Sequence, residues 1–250
     1  MESDRVATNL RMLLILEEVS KSPDPMTPTE INRAIGLPKQ SIHRLCKTMV
    51  DEGFLIRDVS GKRLRPAPRA FALAQGVLMS RHAQTARRQI LLALAAATKE
   101  TVNFVVPEPD GMTYLDRIET DWLFRIELPI GSRVPFHCTA SGKCYLASLS
   151  DHERDRILAT IRFEARTPNT IMSAEKLIVE LETIRQQGYA LDNEELFAGM
   201  VALAVPVRDR EGRFFAALAF HGPTQRLNHD ILLSHLETAR ACAHQLGEIS

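Results

Sequence analysis

The chain has 250 residues, enough for one large domain or two small ones with a real hydrophobic core. Its 45% hydrophobic and 25% charged residues are ordinary for a globular protein, and no run approaches the roughly eighteen apolar residues of a membrane span. Glu2, Asp4 and Arg5 stand where a secretory leader would have a basic region before an apolar stretch, so a cytoplasmic protein is expected.

The 31 Lys+Arg and 31 Asp+Glu balance overall, but not along the chain. Residues 1–75 hold 12 basic and 9 acidic residues, the remainder 19 and 22. A mildly basic first part bears on nucleic acid only if its cations share a surface. Four cysteines (Cys46, Cys138, Cys144 and Cys242) are scattered without a CxxC pair, which reads as free thiols rather than disulfides or zinc ligands.

The spacing of Leu10, Leu13 and Leu14 predicts a first helix over 8–18, closed by the breaker-rich "KSPDPMTPTE". A second helix starts at Thr27 or Thr29 as N-cap and runs to Ala34, where Gly36 and Pro38 force a turn. A third runs from Pro38 to Gly53, a natural C-terminal glycine. "FLIRDVSGKRLRP" then reads as two short strands around a Ser-Gly turn, completing the order of a winged helix-turn-helix. Beyond Pro66 and Pro68 lies an Ala/Leu-rich helical stretch, with Gly76 and the polar "SRH" as its expected break.

Strands follow. "VNFVV" and "TYLDRI" flank the turn "PEPDGM", "WLFRIEL" is a further strand with Arg125 and Glu127 on its solvent face, and "MVALAVPV" pairs with "FFAALAF" across "RDREG". Helices are predicted over 173–188, from N-cap Ser173 to Gly188, and over 228–246. The mixture predicts an α+β class for this region.

On the third helix, Ile42, Leu45, Cys46 and Met49 fall within about 100° of one another, the width of a buried stripe. Gln40, Ser41 and Arg44 lie off that stripe with donors and acceptors that suit base edges in a major groove. Lys39, His43 and Lys47 are candidates for phosphates, and Thr29 belongs to the same surface. The basic turn adds Lys62, Arg63 and Arg65 for the backbone or the minor groove. Any one of these is an ordinary solvated residue by itself; together, in this order, they predict a reader of double-stranded DNA.

A second stretch, "VPFHCTASGKCYLA" over 134–147, invites several chemistries. A nucleotide-phosphate loop fails at both ends, since His137 precedes Gly142 by five and Cys144 follows Lys143. Zinc lacks enough ligands in a workable arrangement, and no metal or cofactor is expected. A hydrolase remains as an alternative, with Cys138 or Ser141 activated by His137, His221 or Asp192, although the nucleophile-elbow spacing is absent. The simplest reading is a helix start whose small residues Ala140, Ser141 and Gly142 let an anion approach free N–H groups without turnover.

Motifs in register along nearly the whole chain resemble the IclR family of transcriptional regulators. "GLPKQSIHRLCKTMVDEGFLIRD" is similar to that family's DNA-binding motif, and "GSRVPFHCTASGKCYLASL", "PNTI", "ELETIRQQGYALDNEE" and "GMVALAVPVRDREGRFFAALAFHGP" to its effector domain. The resemblance implies a winged helix over 1–66, a linker and dimerisation helix over 67–82, and a GAF-like α/β effector-binding domain over 83–250. It also implies a homodimer, or a tetramer on DNA, whose operator binding responds to a small organic acid.

In members that recognise small oxo acids, the pocket positions match Ala140 and Ser141, Asp192, Ala202, Ala219 and His221. Here Ala202, Ala219 and His221 replace a Cys and two Ser, which implies an effector with more apolar bulk, such as an aromatic carboxylate, rather than glyoxylate or pyruvate. Asp192 admits a second role as the cap of its own turn, and His221 as a surface residue at a strand end.

Overall fold

The computed structural model describes residue 7 and residues 10–78, 81–120, 122 and 128–249, and the chain divides into two compact units, 1–80 and 81–250. The predicted strand "WLFRIEL", with Arg125 and Glu127, lies outside the described residues except for Trp122 and Leu128. Among the described residues, no helix is long and apolar enough to cross a membrane.

The first unit holds α1 (Arg11–Lys21), α2 (Pro28–Ile35), α3 (Lys39–Asp51), β1 (Leu55–Arg57), β2 (Leu64–Pro66) and α4 (Pro68–Leu78). The first helix therefore starts and ends about one turn later than its apolar spacing suggests. Thr27, not Thr29, is the N-cap of α2, in a reciprocal capping box with Glu30. Gly36 ends α2 at φ 71°, where a side chain would be strained. Asn32 then brackets the turn: Oδ1 accepts from the Leu37 N–H and Nδ2 donates to the Leu37 carbonyl, both at 2.8 Å. Ile15, Val19, Ile31, Ile42, Leu45, Cys46, Met49, Leu55 and Leu64 form one buried core. Burying each such aliphatic side chain stabilises the fold by about 1.5–3 kcal/mol.

The second unit begins with α5 (Arg81–Thr98), so α4 passes through Gly76 without breaking. Six antiparallel strands follow in the spatial order β5-β4-β3-β8-β7-β6: β3 (Thr101–Glu108), β4 (Gly111–Ile118), β5 (Arg133–Val134), β6 (Ala190–Asn193), β7 (Met200–Arg208) and β8 (Phe214–Pro223). The edge strand β6 occupies the "GYALDNEE" segment, read from sequence as a turn. Helices α6 (Ala140–Ser148), α7 (Asp151–Leu158), α8 (Ala174–Gln187), α9 (His229–Ser234) and α10 (Leu236–Glu248) complete it. The short α7, capped by Ser150, carries too little apolar periodicity to be seen from sequence.

The central strands are apolar on both faces, as a sheet covered on both sides requires. Helices α6 and α8 share a buried cluster with Val105, Ala190, Ala204, Ala217 and Ala219 on one face. The alanine row is what lets α6 come close. α10 packs against β7, β8 and α5.

Candidate functional site

Strand register assembles one wall of a cavity on the alanine face. Asp192, Ala202, His221 and Thr101 stand side by side across β6, β7, β8 and β3. Two residues along, Ala190, Ala204, Ala219, Asn103 and Arg117 form the next row on the same face. The opposing wall is the start of α6. Thr139 caps that helix, accepting from the Gly142 N–H at 3.0 Å while donating to the Pro135 carbonyl at 2.8 Å. The amides of Ala140 and Ser141 have no hydrogen-bond partner among the described residues, as expected for a first turn.

The resulting cavity measures about 40 Å³. It brings together six of the seven sequence-derived positions: Ala140, Ser141, Asp192, Ala202, Ala219 and His221. The seventh, Gly142, stands behind the lining, where an added Cβ would lie 2.4 Å from the Phe136 carbonyl oxygen. Its smallness serves the packing of α6 on its own entry loop. Tyr114, Leu128, Leu196, Phe197, Met200 and Val201 supply apolar walls, and Asn103 and Thr139 further polar groups. None of these eight was singled out from sequence; Asn103, a lone amide within the apolar strand "VNFVV", was the one legible signal among them.

Asp192 caps its own turn and also borders the cavity. Its Oδ1 accepts from the Glu195 N–H at 2.7 Å and the Leu196 N–H at 3.4 Å. Burial, reinforced by the charge of Glu195 and opposed by the two amides and Lys143, pushes the carboxyl up to about 7. His221 lies within β8 rather than at a surface strand end, and burial together with the Arg117 charge holds its imidazole down at about 3. The cavity therefore pairs a neutral imidazole with a carboxyl poised near neutrality.

The remaining groups of "VPFHCTASGKCYLA" are structural. Lys143, fully buried, bonds Glu195 Oε1 at 2.5 Å and Glu180 Oε1 at 3.3 Å, an internal ion pair rather than a phosphate ligand. Burial pushes the Cys138 and Cys144 thiols up to about 12, so neither is a thiolate nucleophile. His137 is also pulled down by burial, with Nε2 3.3 Å from the Glu164 carbonyl and its ring edge-on to Phe163. Among the described residues, no group of three His, Cys, Asp or Glu could hold a metal.

In the first unit, α3 buries its apolar stripe and exposes Lys39, Gln40, His43, Arg44 and Lys47, with Ser41 half-buried. Thr29, Lys62, Arg63 and Arg65 are exposed as well. They differ in freedom. Lys47 pairs with Asp51 at 2.7 Å, and Arg63 donates to the Pro25 carbonyl at 2.7 Å and reaches Glu30, tying the wing to α2. Lys39, Arg44, Lys62 and Arg65 make no ion pair or side-chain hydrogen bond among the described residues. Arg57, unremarked in the sequence, locks the hairpin by donating to the Gly61 carbonyl at 2.8 Å.

Comparison with known proteins bears on both units. Residues 10–59 match the IclR helix-turn-helix domain, and residues 75–248 the C-terminal domain of the bacterial transcriptional regulator IclR. The "Probable transcriptional regulator SauR" of Cupriavidus necator is 37% identical over 240 residues, spanning 96% of this chain and 95% of that one. The crystal structure of Thermotoga maritima IclR superposes with a TM-score of 0.65 at 25% identity, covering 96% of this chain and 97% of that one. A double mutant of the inducer-binding domain of PobR from Acinetobacter, solved with 3-hydroxybenzoic acid, has a TM-score of 0.60 at 28% identity over 65% of this chain and 95% of its own. The chain thus belongs to the IclR family and is a DNA-binding transcriptional regulator rather than an enzyme.

Proposed function

We propose that this regulator's operator binding is controlled by a carboxylic acid with an apolar, aromatic body, bound between the start of α6 and the alanine face of the sheet. The observation that carries the reading is the joining of two unpartnered helix-start amides and the Ser141 hydroxyl to a wall of Tyr114, Leu128, Leu196, Phe197 and Met200. The amides and the helix dipole suit a carboxylate, and the wall suits a ring. PobR's inducer-binding domain with 3-hydroxybenzoic acid supports the same ligand class. A cavity of about 40 Å³ admits a ring by outward movement of the loop bearing Phe197, which is 39% exposed.

In this reading the protein is cytoplasmic, and residues 1–66 form the DNA-binding module, with Gln40, Ser41 and Arg44 reading bases. Lys39, His43, Lys47, Lys62, Arg63, Arg65 and Thr29 serve the backbone, the free cations contributing most. Residues 67–82 join two chains, so that paired modules read two half-sites, with a tetramer as a further assembly on DNA. The exposure of Phe71, Leu73 and Val77 on α4, at 40%, 49% and 62%, fits a helix that packs against a second copy. Residues 83–250 hold the acid, and control follows if it binds two arrangements of the dimer unequally.

The test is a thermal-shift screen of benzoate, hydroxybenzoates, glyoxylate and pyruvate, followed by operator binding with each stabilising acid. A benzoate-type acid that both stabilises the protein and alters operator affinity is expected. Stabilisation by glyoxylate or pyruvate alone would overturn the aromatic assignment.

A further inference from the structure

His221 sits at the end of an oriented chain of side chains that leads away from the cavity. Glu119 Oε1 accepts from Arg117 Nε at 3.2 Å, Arg117 Nη1 donates to Asn103 Oδ1 at 3.1 Å, and Asn103 Nδ2 lies 3.0 Å from His221 Nδ1. A guanidinium can only donate, so the amide oxygen of Asn103 must face Arg117 and its NH₂ must face the ring. An NH₂ group in turn can only donate, so Nδ1 must present its lone pair. In the neutral ring the proton therefore resides on Nε2, which makes no hydrogen bond among the described residues of a side chain that borders the cavity.

We propose that His221 presents a fixed Nε2–H to the cavity, a donor for an acceptor oxygen of the bound acid whose direction is set remotely by Arg117 through Asn103. This inference rests on the effector reading above and supplies it with a named specificity group. A serine hydroxyl at this position could turn to donate or accept; this imidazole can only donate. It selects an acceptor on the ligand and disfavours a donor there.

The surroundings hold the ring neutral. Protonating Nδ1 would set an N–H against the Asn103 NH₂, and Arg117, whose side chain is 2% exposed, adds a repelling charge. The other charged groups are arranged elsewhere: Glu119 neutralises Arg117, Glu100 is held by Arg226 at 2.7 and 2.9 Å, and Asp192 stands two strands away with Ala202 between. Burial and the Arg117 charge keep the imidazole at about 3, so the donor persists throughout the physiological range.

Two-bond proton–nitrogen spectra of the full chain labelled at histidine test the tautomer, with the His221 signals identified by their loss in His221→Gln. The expected result is an acceptor-type Nδ1 and a protonated Nε2, unchanged from about pH 5 to about pH 8. A proton on Nδ1, or titration near the ordinary histidine value, would overturn the proposal. Asn103→Leu is expected to release the ring and allow tautomer exchange.

Binding of benzoate, 3-hydroxybenzoate and pyruvate by calorimetry gives the second readout. His221→Phe is expected to weaken the acid that binds wild type by roughly ten- to a hundred-fold, and His221→Gln, which returns an N–H, to recover most of the loss. Equal affinity in wild type and His221→Phe would sink the role of His221 while leaving the effector reading standing. No binding of any of the three acids to wild type would instead fail the effector reading, and this inference with it.

Discussion

Two helix starts in this chain face opposite electrostatic problems. α3 opens at Pro38 without a side-chain cap, in water, beside the exposed cations Lys39 and Arg44. α6 opens at its cap Thr139, buried, with Ala140 and Ser141 as its first residues and no cation among the described residues that line the cavity. In water, backbone dipoles are screened within about 10 Å, so an exposed site for a polyanion needs mobile full charges. In a low-dielectric cavity two aligned amides and a helix dipole suffice for one carboxylate. In the proposed reading the same backbone feature serves a long, uniformly charged partner in one unit and a single small anion in the other, the difference being made by burial.

The contrast breaks most visibly at Gly142. Gly142→Val would drive side-chain atoms into the Phe136 backbone and displace the α6 start. A loss of roughly 3 kcal/mol or more is expected, read as a lower thermal unfolding transition. Ser141→Asp places a second anion where the acid's carboxylate is proposed to sit, and should cost several kcal/mol of acid binding while operator affinity without acid is unchanged. An undiminished response to acid would remove the α6 start from the site.

Arg44→Ala should weaken specific DNA binding by about 1–3 kcal/mol and relax preference at one base position, as competition between operator variants will show. The pH dependence of acid binding sharpens the buried side of the comparison. Asp192 has its folded value raised to about 7, so it is protonated and compatible with a neighbouring anion below that pH and repels one above it. Acid affinity should fall by up to about ten-fold per pH unit above 7, and Asp192→Asn should flatten the profile. The same sign holds for stability: the raised carboxyl disfavours folding progressively between its ordinary value and about 7, and Asp192→Asn relieves that loss. Smallest of all, Lys62→Ala should cost under about 1 kcal/mol, equally for every DNA sequence, and reduce the salt slope by about one.

What could be read from sequence follows the range of the interactions. The buried stripe of α3, the Gly36 turn, the Ser173 cap and Gly188 stop of α8, and the turn between β7 and β8 are each decided within a few residues. The α6 start was legible for the same reason, as was the polar outer face of α3. Differences in the freedom of the cations were not. Lys47 and Arg63 look equivalent to Lys39 and Arg44 as sequence, yet Arg63 is engaged by Glu30 from 33 residues away.

The cavity was the less legible part. Apolar lining residues such as Tyr114 and Met200 are indistinguishable from core by composition, and only the register of β3, β4, β7 and β8 brings them to one side of the sheet. Gly142 looked like part of the ligand site because small residues at a helix start serve either a ligand or a close backbone contact, and local pattern cannot separate the two. α7 escaped notice because a short, charged helix leaves little periodicity.

By itself, then, the sequence determined the DNA-binding motif, the order of its strands and helices, and the small-residue start of α6, because all of these arise from local periodicity, capping and turn chemistry. Only the tertiary structure decided that Asp192 caps a turn while bordering a cavity, that His221 is held neutral, and that its proton belongs on Nε2. Those properties come from burial and from a partner, Asn103, 118 residues distant, and such pairings exist only once the strands are in register.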